Sequence, residues 1–337
     1  MSRFNVIMTA PRLAEPAVAV LEEAGCAIHY MPPYPSAEAV AQLAGAIQAD
    51  AILTRQGPVT AAAMDASQRL RIVARHGVGV DDVDLAAAAA RNILVTRAPG
   101  SNTLAVAEHT LAVILALAKD LKPLTDSIAA GAWRGAATKV LDIAGLKLGL
   151  LGFGAIGQAV ATLARPFGMQ VTAYSPTTPD TLFQSIRRAA NLPDLLADSR
   201  ILSVHCPYTP QTHHLVDAAA LAAMPPGSFI INTARGGIVD EDALLTALDS
   251  GHIAGAALDV FETEPPPQNH PLRRHPRVIV TPHVSGVTDN SLVNMGLMAA
   301  ECIAAALTGG IVRPERIVRP GALPLALPSY TSATTRR

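Results

Sequence analysis

The chain has 337 residues, half of them hydrophobic, and its 26 basic and 27 acidic residues leave a formal net charge of −1. This length is too great for one ordinary hydrophobic core and suits two domains. The balanced charge argues against a nucleic acid or an anionic membrane as a partner, because either would need a strongly basic surface.

The three cysteines, Cys26, Cys206 and Cys302, lie far apart in the sequence. Without a C-x-x-C pair they predict neither a disulfide framework nor a zinc site, so no metal site is expected. Acidic and proline residues interrupt the N-terminal segment early, and no stretch reaches the about 18 apolar residues that would span a bilayer. We therefore expect a cytoplasmic protein.

The first part of the chain alternates short apolar runs with alanine-rich stretches. The predicted strands are Val6–Thr9, Ala27–Met31, Ala51–Thr54, Leu70–Arg75 and Ile93–Thr96. Helices are predicted between them, for example at Pro16–Ala24 and Asp84–Ala90. Strands separated by helices are typical of a parallel, doubly wound sheet.

A long helical pattern follows, from about Leu104 to Ala130. Ser101 and Asn102, just before it, have side chains suited to capping its N-terminus. The pattern is apolar around most of its circumference, which is typical of a helix buried between domains or between subunits.

A second alternating region begins at Lys147. Its six predicted strands are Leu148–Leu151, Gln170–Tyr174, Ile201–His205, Ser228–Asn232, Gly255–Asp259 and Val278–Thr281. Most are rich in Val, Ile and Leu, as expected for strands buried on both faces, and six parallel strands with crossovers form a complete dinucleotide-binding fold. A further helix is predicted from Asp289 to Leu307, and the Pro-, Ser- and Thr-rich tail after Pro314 is predicted to be irregular.

A glycine pattern of the form G-x-G-x-x-G, made by Gly152, Gly154 and Gly157, lies between a predicted strand and a helix that begins at Ala155. There the first glycine allows a tight turn, the second lets the backbone approach a pyrophosphate, and the third lets the helix pack close to the sheet. The helix N-terminus would offer free N–H groups to the phosphates. A turn without a ligand is the simpler alternative, but the flanking strand and helix favour a dinucleotide site.

The residue that ends the next strand normally contacts the adenosine ribose, where an acidic side chain binds the 2′-hydroxyl and repels a 2′-phosphate. Here that residue is Ser175, followed by Thr177 and Thr178, whose hydroxyl groups could bind a phosphate. Arg187 is the first basic residue after Ser175, so the sequence predicts no strong phosphate clamp. We expect NAD or NADP as the cofactor, with Ser175 favouring NADP.

Polar residues follow three later strands, namely Arg235, then Asp259 and Glu264, and finally His283. Because ligands bind at the carboxyl ends of strands in an open parallel sheet, we expect these residues to converge beside the dinucleotide. Taken singly, Arg235 could be a solvated turn residue, Glu264 an exposed loop charge and His283 a helix cap.

These residue types suit the reduction of a 2-oxo acid, which needs a hydride at the carbonyl carbon and a proton at its oxygen. A histidine can supply the proton near neutral pH, and a neighbouring carboxylate favours its protonated form. An arginine can hold the substrate carboxylate in its planar fork. We therefore expect an oxidoreductase with His283 as acid/base, Glu264 as its partner and Arg235 as the substrate-binding residue.

Six motifs occur in order along the chain: RHGVGVDDVD, NTLAVAEHTLAVILAL, LGLLGFGAIGQAVA, NTARGGIVDEDAL, AALDVFETEP and TPHVSG. With these motifs the chain resembles the D-isomer-specific 2-hydroxyacid dehydrogenases from about Val6 to Thr308. The resemblance implies an α/β fold of two doubly wound parallel-sheet domains, a Rossmann NAD(P)-binding domain and a flavodoxin-like substrate domain. We place the substrate domain at 1–98 and 288–315, the NAD(P)-binding domain at 99–287 and an irregular tail at 316–337.

The resemblance also implies roles for individual residues and a homodimer in which the long helix after Asn102 packs across the dimer axis. Arg235, Glu264 and His283 match the family's catalytic set. The implied cofactor contacts are Gly152, Gly154, Ala155, Ile156, Gly157, Ser175, Cys206, Thr233, Asp259 and Gly286. The implied substrate contacts are Arg55, His76, Gly77, Val78, Gly79 and Asn102.

Two alternatives stay open at this point. Some proteins similar to this family sense NAD(P) as corepressors without turnover, and they can retain the same Arg, Glu and His residues. Other relatives oxidise formate or phosphite, but formate enzymes pair the histidine with a glutamine, whereas Glu264 suits proton transfer to a carbonyl. The identity of the 2-hydroxy acid is not fixed by these motifs.

Overall fold

The computed structural model describes residues 3–135, 139–184 and 186–318. The chain divides into two compact units: unit 1 contains Met1–Asn102 and Val287–Arg337, and unit 2 contains Thr103–Gly286. The division lies close to the predicted boundaries at 98/99 and 287/288, and unit 1 is discontinuous in sequence. Most of the tail predicted to be irregular, 316–337, lies outside the described residues.

Unit 1 is built on a five-stranded parallel sheet with the order β2-β1-β3-β4-β5. Its strands are β1 (Phe4–Met8), β2 (Cys26–Tyr30), β3 (Ala51–Thr54), β4 (Ile72–Arg75) and β5 (Leu94–Thr96). All five strands were predicted from the sequence to within two residues at each end. This order is that of a flavodoxin-like sheet, so the predicted fold class of this unit is confirmed.

Five helices cover the sheet of unit 1. They are α1 (Glu15–Glu23), α2 (Ala37–Ile47), α3 (Ala61–Asp65), α4 (Leu85–Ala90) and α11 (Asp289–Thr308). By length and composition alone α11 could cross a membrane. In the structure its apolar side, including Ala299, Ala300 and Ile303, is buried with Val6 and Met8 of β1 in the core of unit 1. Removing this apolar surface from water stabilises unit 1.

Unit 2 contains a seven-stranded parallel sheet with the order β12-β11-β10-β9-β6-β7-β8. Its strands are β6 (Lys147–Leu151), β7 (Gln170–Tyr174), β8 (Arg187–Arg188), β9 (Ile201–Val204), β10 (Ser228–Asn232), β11 (Ile253–Leu258) and β12 (Val278–Val280). From β8 to β11 the order matches the dinucleotide-binding 3-2-1-4-5-6 arrangement, with β12 added at the edge. The Rossmann prediction is therefore confirmed, and β8 is the strand that the sequence did not predict.

Helices pack on both faces of this sheet, which explains its apolar strands. They are α5 (Thr103–Ala118), α6 (Leu121–Ala129), α7 (Ala155–Ala164), α8 (Leu192–Asp198), α9 (Ala218–Ala223) and α10 (Glu241–Asp249). Leu150 and Ile231 point into the core that contains α5 and α7, whereas Leu202 and Ile230 point into the core that contains α8, α9 and α10.

The single helix predicted from about Leu104 to Ala130 is wrong in two respects. It is divided into α5 and α6 at Asp120, which adopts a left-handed backbone conformation with φ of 51°. Of these two helices, α5 has buried residues, whereas α6 has none. Apolar composition alone could not separate a packed helix from one whose apolar residues are exposed.

Candidate active site

The glycine turn connects β6 to α7 and is set by close backbone contacts. Gly152 has a φ of 102°, and a Cβ atom there would lie 2.5 Å from the backbone nitrogen of Cys206. A Cβ atom on Gly157 would lie 2.5 Å from the carbonyl oxygen of Gly152, because the helix passes directly over the turn. Both positions therefore require glycine, as the sequence pattern predicted.

Gly154 is the N-cap residue of α7, and its environment differs from that of the other two glycines. It provides no side-chain cap for the helix N–H groups, and a Cβ atom there would meet nothing within 4 Å. Ala155 is exposed and Ile156 is half-buried. The turn thus presents uncapped N–H groups and the positive end of the helix dipole to open space, which fits the pyrophosphate of a dinucleotide.

His283 and Glu264 form a hydrogen-bonded pair on the loops after β12 and β11. The Nδ1–H group of His283 donates to Oε2 of Glu264 at 2.7 Å. The other carboxylate oxygen, Oε1, accepts from the backbone N–H of Phe261 at 3.1 Å, which fixes the orientation of the carboxylate. Since Glu264 engages Nδ1, Nε2 is the nitrogen through which His283 can exchange a proton with a reactant.

Asp259 holds the loop that carries His283. Its carboxylate is buried and accepts hydrogen bonds from Thr281 Oγ1 at 2.6 Å, Val284 N at 2.8 Å and Ser285 N at 2.9 Å. Its carbonyl oxygen accepts from the N–H of His283 at 2.8 Å. His283 has a φ of 53°, which is unfavourable for a side chain with a Cβ atom, so these four bonds maintain a strained backbone conformation.

His109 of α5 extends this network. Thr281 Oγ1 lies 3.3 Å from His109 Nε2, and because the hydroxyl donates to Asp259 it must accept from His109. His109 is therefore a hydrogen-bonded structural residue on this helix. The network gives Asp259 a positioning role that sequence reasoning did not predict.

Arg235 follows β10, next to the Glu264 segment. Its Nη1 donates to the carbonyl oxygen of Ala234 at 2.7 Å, and the turn is closed by Asn232, whose Nδ2 donates to the carbonyl oxygen of Arg235 at 2.8 Å. A Cβ atom on Gly236 would lie 1.9 Å from the carbonyl carbon of Phe261. The backbone of the Arg235 turn is therefore packed directly against the segment that leads to Glu264. Arg235, Glu264 and His283 thus follow the carboxyl ends of three adjacent strands, β10, β11 and β12, as predicted.

Two further residues predicted to contact the cofactor follow neighbouring strands of unit 2. Cys206 comes shortly after β9, and burial raises the pKa of its thiol to about 12, so it is neutral at physiological pH. Thr233 follows β10, and its hydroxyl is buried 3.1 Å from that of Thr110 on α5. Gly286 ends unit 2, directly after the loop that Asp259 holds.

The loop from His76 to Gly79 lies in unit 1, after β4. The N–H of His76 donates to the carbonyl oxygen of Thr54 at 2.8 Å, and Arg75 Nε donates to the carbonyl oxygen of Gly79 at 2.8 Å. Within the part of the chain that the structure describes, no acceptor engages the N–H groups of Gly77, Val78 and Gly79. These three groups, rather than that of His76, are the ones able to bind a carboxylate.

The remaining residues predicted for the substrate also lie in unit 1. Burial, with Arg55 and Arg75 nearby, lowers the pKa of His76 to about 3, so its ring is neutral. Burial, with Arg12 and Arg75 nearby, also lowers the pKa of Arg55 from its usual value. Asn102 has a buried Oδ1 atom without a hydrogen-bond partner among the described residues.

One residue near the cofactor turn was missed entirely. Arg188 of β8 lies beside β7 and donates from Nη2 to the carbonyl oxygen of Ser175 at 3.1 Å. No spacing rule could place it there, because the contact depends on the pairing of a two-residue strand. The sequence therefore carries no local signal for this position.

Comparison with known proteins identifies the family to which the chain belongs. The model for "D-isomer specific 2-hydroxyacid dehydrogenase, NAD binding domain" matches residues 111–285, which lie within unit 2. The chain belongs to the D-isomer specific 2-hydroxyacid dehydrogenase family. Unit 2 therefore holds the NAD-binding domain of this family, which confirms the resemblance recognised in the sequence.

Individual relatives match most of the length of this chain. The D-3-phosphoglycerate dehydrogenase of Mycobacterium leprae (strain TN) is 42% identical over 272 residues, which are 80% of this chain and 51% of that protein. The chain thus spans about half the length of this curated relative. Among solved structures, the TT0316 protein from Thermus thermophilus is 35% identical with a TM-score of 0.83, covering 94% of this chain and 100% of that one. A glyoxylate reductase from Paecilomyes thermophila is 26% identical with a TM-score of 0.81, covering 94% and 98%.

Proposed function

We propose that the chain is an NAD(P)-dependent dehydrogenase that transfers a hydride between the nicotinamide and a small 2-oxo or D-2-hydroxy acid. The observation that carries this proposal is the His283–Glu264 pair, with Nδ1 and Oε2 2.7 Å apart, at the carboxyl edge of the sheet that carries the glycine turn. The family membership and the names of the relatives support the same reaction class.

In the direction of reduction, His283 donates a proton from Nε2 to the carbonyl oxygen of the substrate. Glu264 keeps the ring oriented through Nδ1 and stabilises the positive charge that the ring carries before it gives up the proton. Arg235 binds the substrate carboxylate, for which its planar fork is suited. When bound, the reduced nicotinamide supplies the hydride.

The remaining residues named from the resemblance are proposed as binding residues. For the dinucleotide they are Gly152, Gly154, Ala155, Ile156, Gly157, Ser175, Cys206, Thr233, Asp259 and Gly286. For the substrate carboxylate they are the N–H groups of Gly77, Val78 and Gly79, with Arg55 and Asn102 nearby in unit 1. We further propose a cytoplasmic homodimer.

Turnover is the test of this function. The purified chain should oxidise NADH or NADPH in the presence of at least one member of a panel that includes glyoxylate, hydroxypyruvate and pyruvate, and should reduce NAD or NADP with D-3-phosphoglycerate or D-lactate. Binding of a dinucleotide without turnover of any acid would instead favour the corepressor-like alternative. Since two named relatives are a dehydrogenase and a reductase, no comparison favours that alternative.

A further inference from the structure

Two hydroxyl groups lie beside the glycine turn at the end of β7. Ser175 Oγ and Thr178 Oγ1 are 2.9 Å apart, and Thr178 Oγ1 donates to the carbonyl oxygen of Phe153 at 3.4 Å. The N–H of Gly152 donates to the carbonyl oxygen of Tyr174 at 2.8 Å. These contacts fix the hydroxyl pair against the turn that fits a pyrophosphate, at the position where the adenosine ribose of a dinucleotide is read.

A guanidinium group reaches the same place from the neighbouring strand. β8 pairs in parallel with β7, with Arg188 opposite Ala173, and its Nη2 donates to the carbonyl oxygen of Ser175 at 3.1 Å. The guanidinium lies 4.8 Å from the ring centroid of Phe183, which is buried. The backbone pairing and the ring together hold the positive charge of Arg188 next to Ser175.

We propose that Arg188, Ser175 and Thr178 form a binding site for the 2′-phosphate of NADP(H), with Arg188 as the residue that sets cofactor preference. The proposal rests on the proposed function, because it assumes that a dinucleotide binds at the glycine turn. A carboxylate at position 175 would bind the ribose 2′-hydroxyl and repel a phosphate, and serine removes that repulsion. A planar guanidinium is a donor that suits a phosphate dianion. The hydroxyl protons of Ser175 and Thr178 point to Thr178 Oγ1 and to the carbonyl oxygen of Phe153, and on binding they turn to donate to the phosphate.

Asp180 is the one acidic group that contacts Arg188 among the described residues, through an ion pair with Nη1. Its side chain is 85% exposed, so water screens the pair and makes it weak. A phosphate dianion at the hydroxyl pair can therefore replace Asp180 as the partner of Arg188.

Arg187 provides a matched control on the same strand. Its side chain points away from Arg188, and its Nη1 pairs with Asp198 at 2.7 Å, a carboxylate that also pairs with Lys147. The two arginines thus share a strand, a charge and a substantially exposed position, but only Arg188 lies beside Ser175.

The test is the equilibrium binding of NADPH and NADH, measured by calorimetry on the full chain and on the Arg188→Gln and Arg187→Gln variants. We expect the unmodified chain to bind NADPH at least about 10-fold more tightly than NADH, because the phosphate adds charge-assisted bonds. Arg188→Gln should weaken NADPH binding by roughly 10- to 100-fold and change NADH binding by less than about 3-fold. Arg187→Gln should change neither affinity by more than about 3-fold.

Two smaller nucleotides, with and without a 2′-phosphate, test this site without the nicotinamide half of the cofactor. Adenosine 2′,5′-bisphosphate should bind more tightly than 5′-AMP to the unmodified chain, and Arg188→Gln should abolish the difference. Unchanged thermal unfolding of both variants would show that they are folded.

Tighter binding of NADH than of NADPH, or equal effects of the two arginine variants, would overturn the 2′-phosphate site while leaving the proposed dehydrogenase intact. Binding of neither dinucleotide would overturn the proposed function itself, and the 2′-phosphate site with it.

Discussion

Glu264 determines which nitrogen of His283 faces a reactant. A carboxylate can only accept a hydrogen bond, so the Nδ1–Oε2 contact places a proton on Nδ1 and directs Nε2 outward. The second contact of Glu264, from Phe261 N, prevents the carboxylate from turning away. The pair is therefore oriented before any substrate binds.

Replacing His283 should abolish proton transfer without abolishing cofactor binding. We expect His283→Ala to lower kcat by about 1000-fold, in the range that general acid catalysis contributes, while NAD(P)H still binds. Steady-state kinetics and calorimetry measure the two effects. His252→Ala is the control, because this histidine of unit 2 contacts the carbonyl oxygen of Leu221 and lies away from the candidate site. A kcat close to that of the unmodified chain would refute the acid/base role.

Glu264→Gln tests the orientation of the ring. Glutamine can still accept from Phe261 N, but it cannot stabilise a positive charge on His283, so we expect kcat to fall by roughly 10- to 100-fold with little change in thermal unfolding. A variant with full kcat would show that the carboxylate is dispensable.

The buried ring of His76 makes the stability of the protein depend on pH. Burial lowers the pKa of His76 to about 3, while an unfolded histidine titrates near 6.5. Between these values the unfolded chain binds a proton that the folded chain does not, so stability decreases as the pH falls below 6.5. Between pH 7 and pH 5 the loss is about 2 kcal/mol.

Urea unfolding of the chain and of His76→Gln at the two pH values measures this contribution. The decrease in the free energy of unfolding should be smaller in the variant by about 2 kcal/mol. The same decrease in both proteins would mean that His76 titrates alike in the folded and unfolded states.

At the scale of elements, the loop from Thr281 to Ser285 depends on a single buried carboxylate. Asp259→Ala would leave the N–H groups of Val284 and Ser285 without their acceptor and free His283 to relax from its positive φ. We expect a loss of about 3 kcal/mol in the free energy of unfolding, because buried donors lose their partner.

Thr281→Val is the matched control for this loop. It removes the hydroxyl contacts to Asp259 and to His109 and leaves both N–H bonds in place, so it should cost about 1 kcal/mol. Chemical denaturation of both variants provides the comparison, and equal losses would contradict the view that the carboxylate–backbone bonds hold the loop.

The elements also show how far sequence reasoning reaches. Most strands were predictable, because strands buried on both faces are rich in Val and Ile. The glycine turn was predictable, because its backbone conformation requires glycine. The break at Asp120 was not, because aspartate is only one of several residues that adopt a left-handed conformation. β8 was not predictable either, since two arginines carry no apolar signal and form a strand only through pairing with β7.

The same division holds for the candidate site. The positions of His283, Glu264 and Arg235 after three strands were predictable, because the strands are apolar and these residue types suit the chemistry. Their catalytic roles stay a prediction. The loop-holding role of Asp259 and the position of Arg188 depend on hydrogen bonds between segments far apart in sequence, and no local pattern specifies such bonds.

At the scale of the whole molecule, the proposed homodimer has a candidate surface in unit 2. Leu121 and Ile128 of α6 are each more than half exposed, and Trp133, shortly after this helix, is 81% exposed. Leu121 and Ile128 share one face of α6 by their spacing, and exposed apolar groups on one face of a helix are typical of protein interfaces.

We expect the chain to be a dimer by light scattering and Ile128→Glu to shift it to a monomer, because the substitution would bury a charge at the interface. Phe167→Glu is the control, since Phe167 is also an exposed apolar residue but lies outside α5 and α6. A dimer that persists in Ile128→Glu would place the interface elsewhere.

The discontinuity of unit 1 has a consequence for biosynthesis. Unit 2 is one continuous stretch and is complete once Gly286 has left the ribosome, whereas the sheet of unit 1 lacks α11 until Thr308 has been made. Until then the part of β3 and β4 that α11 covers lacks that cover. Unit 1 therefore begins before unit 2 in the order of translation but is completed after it.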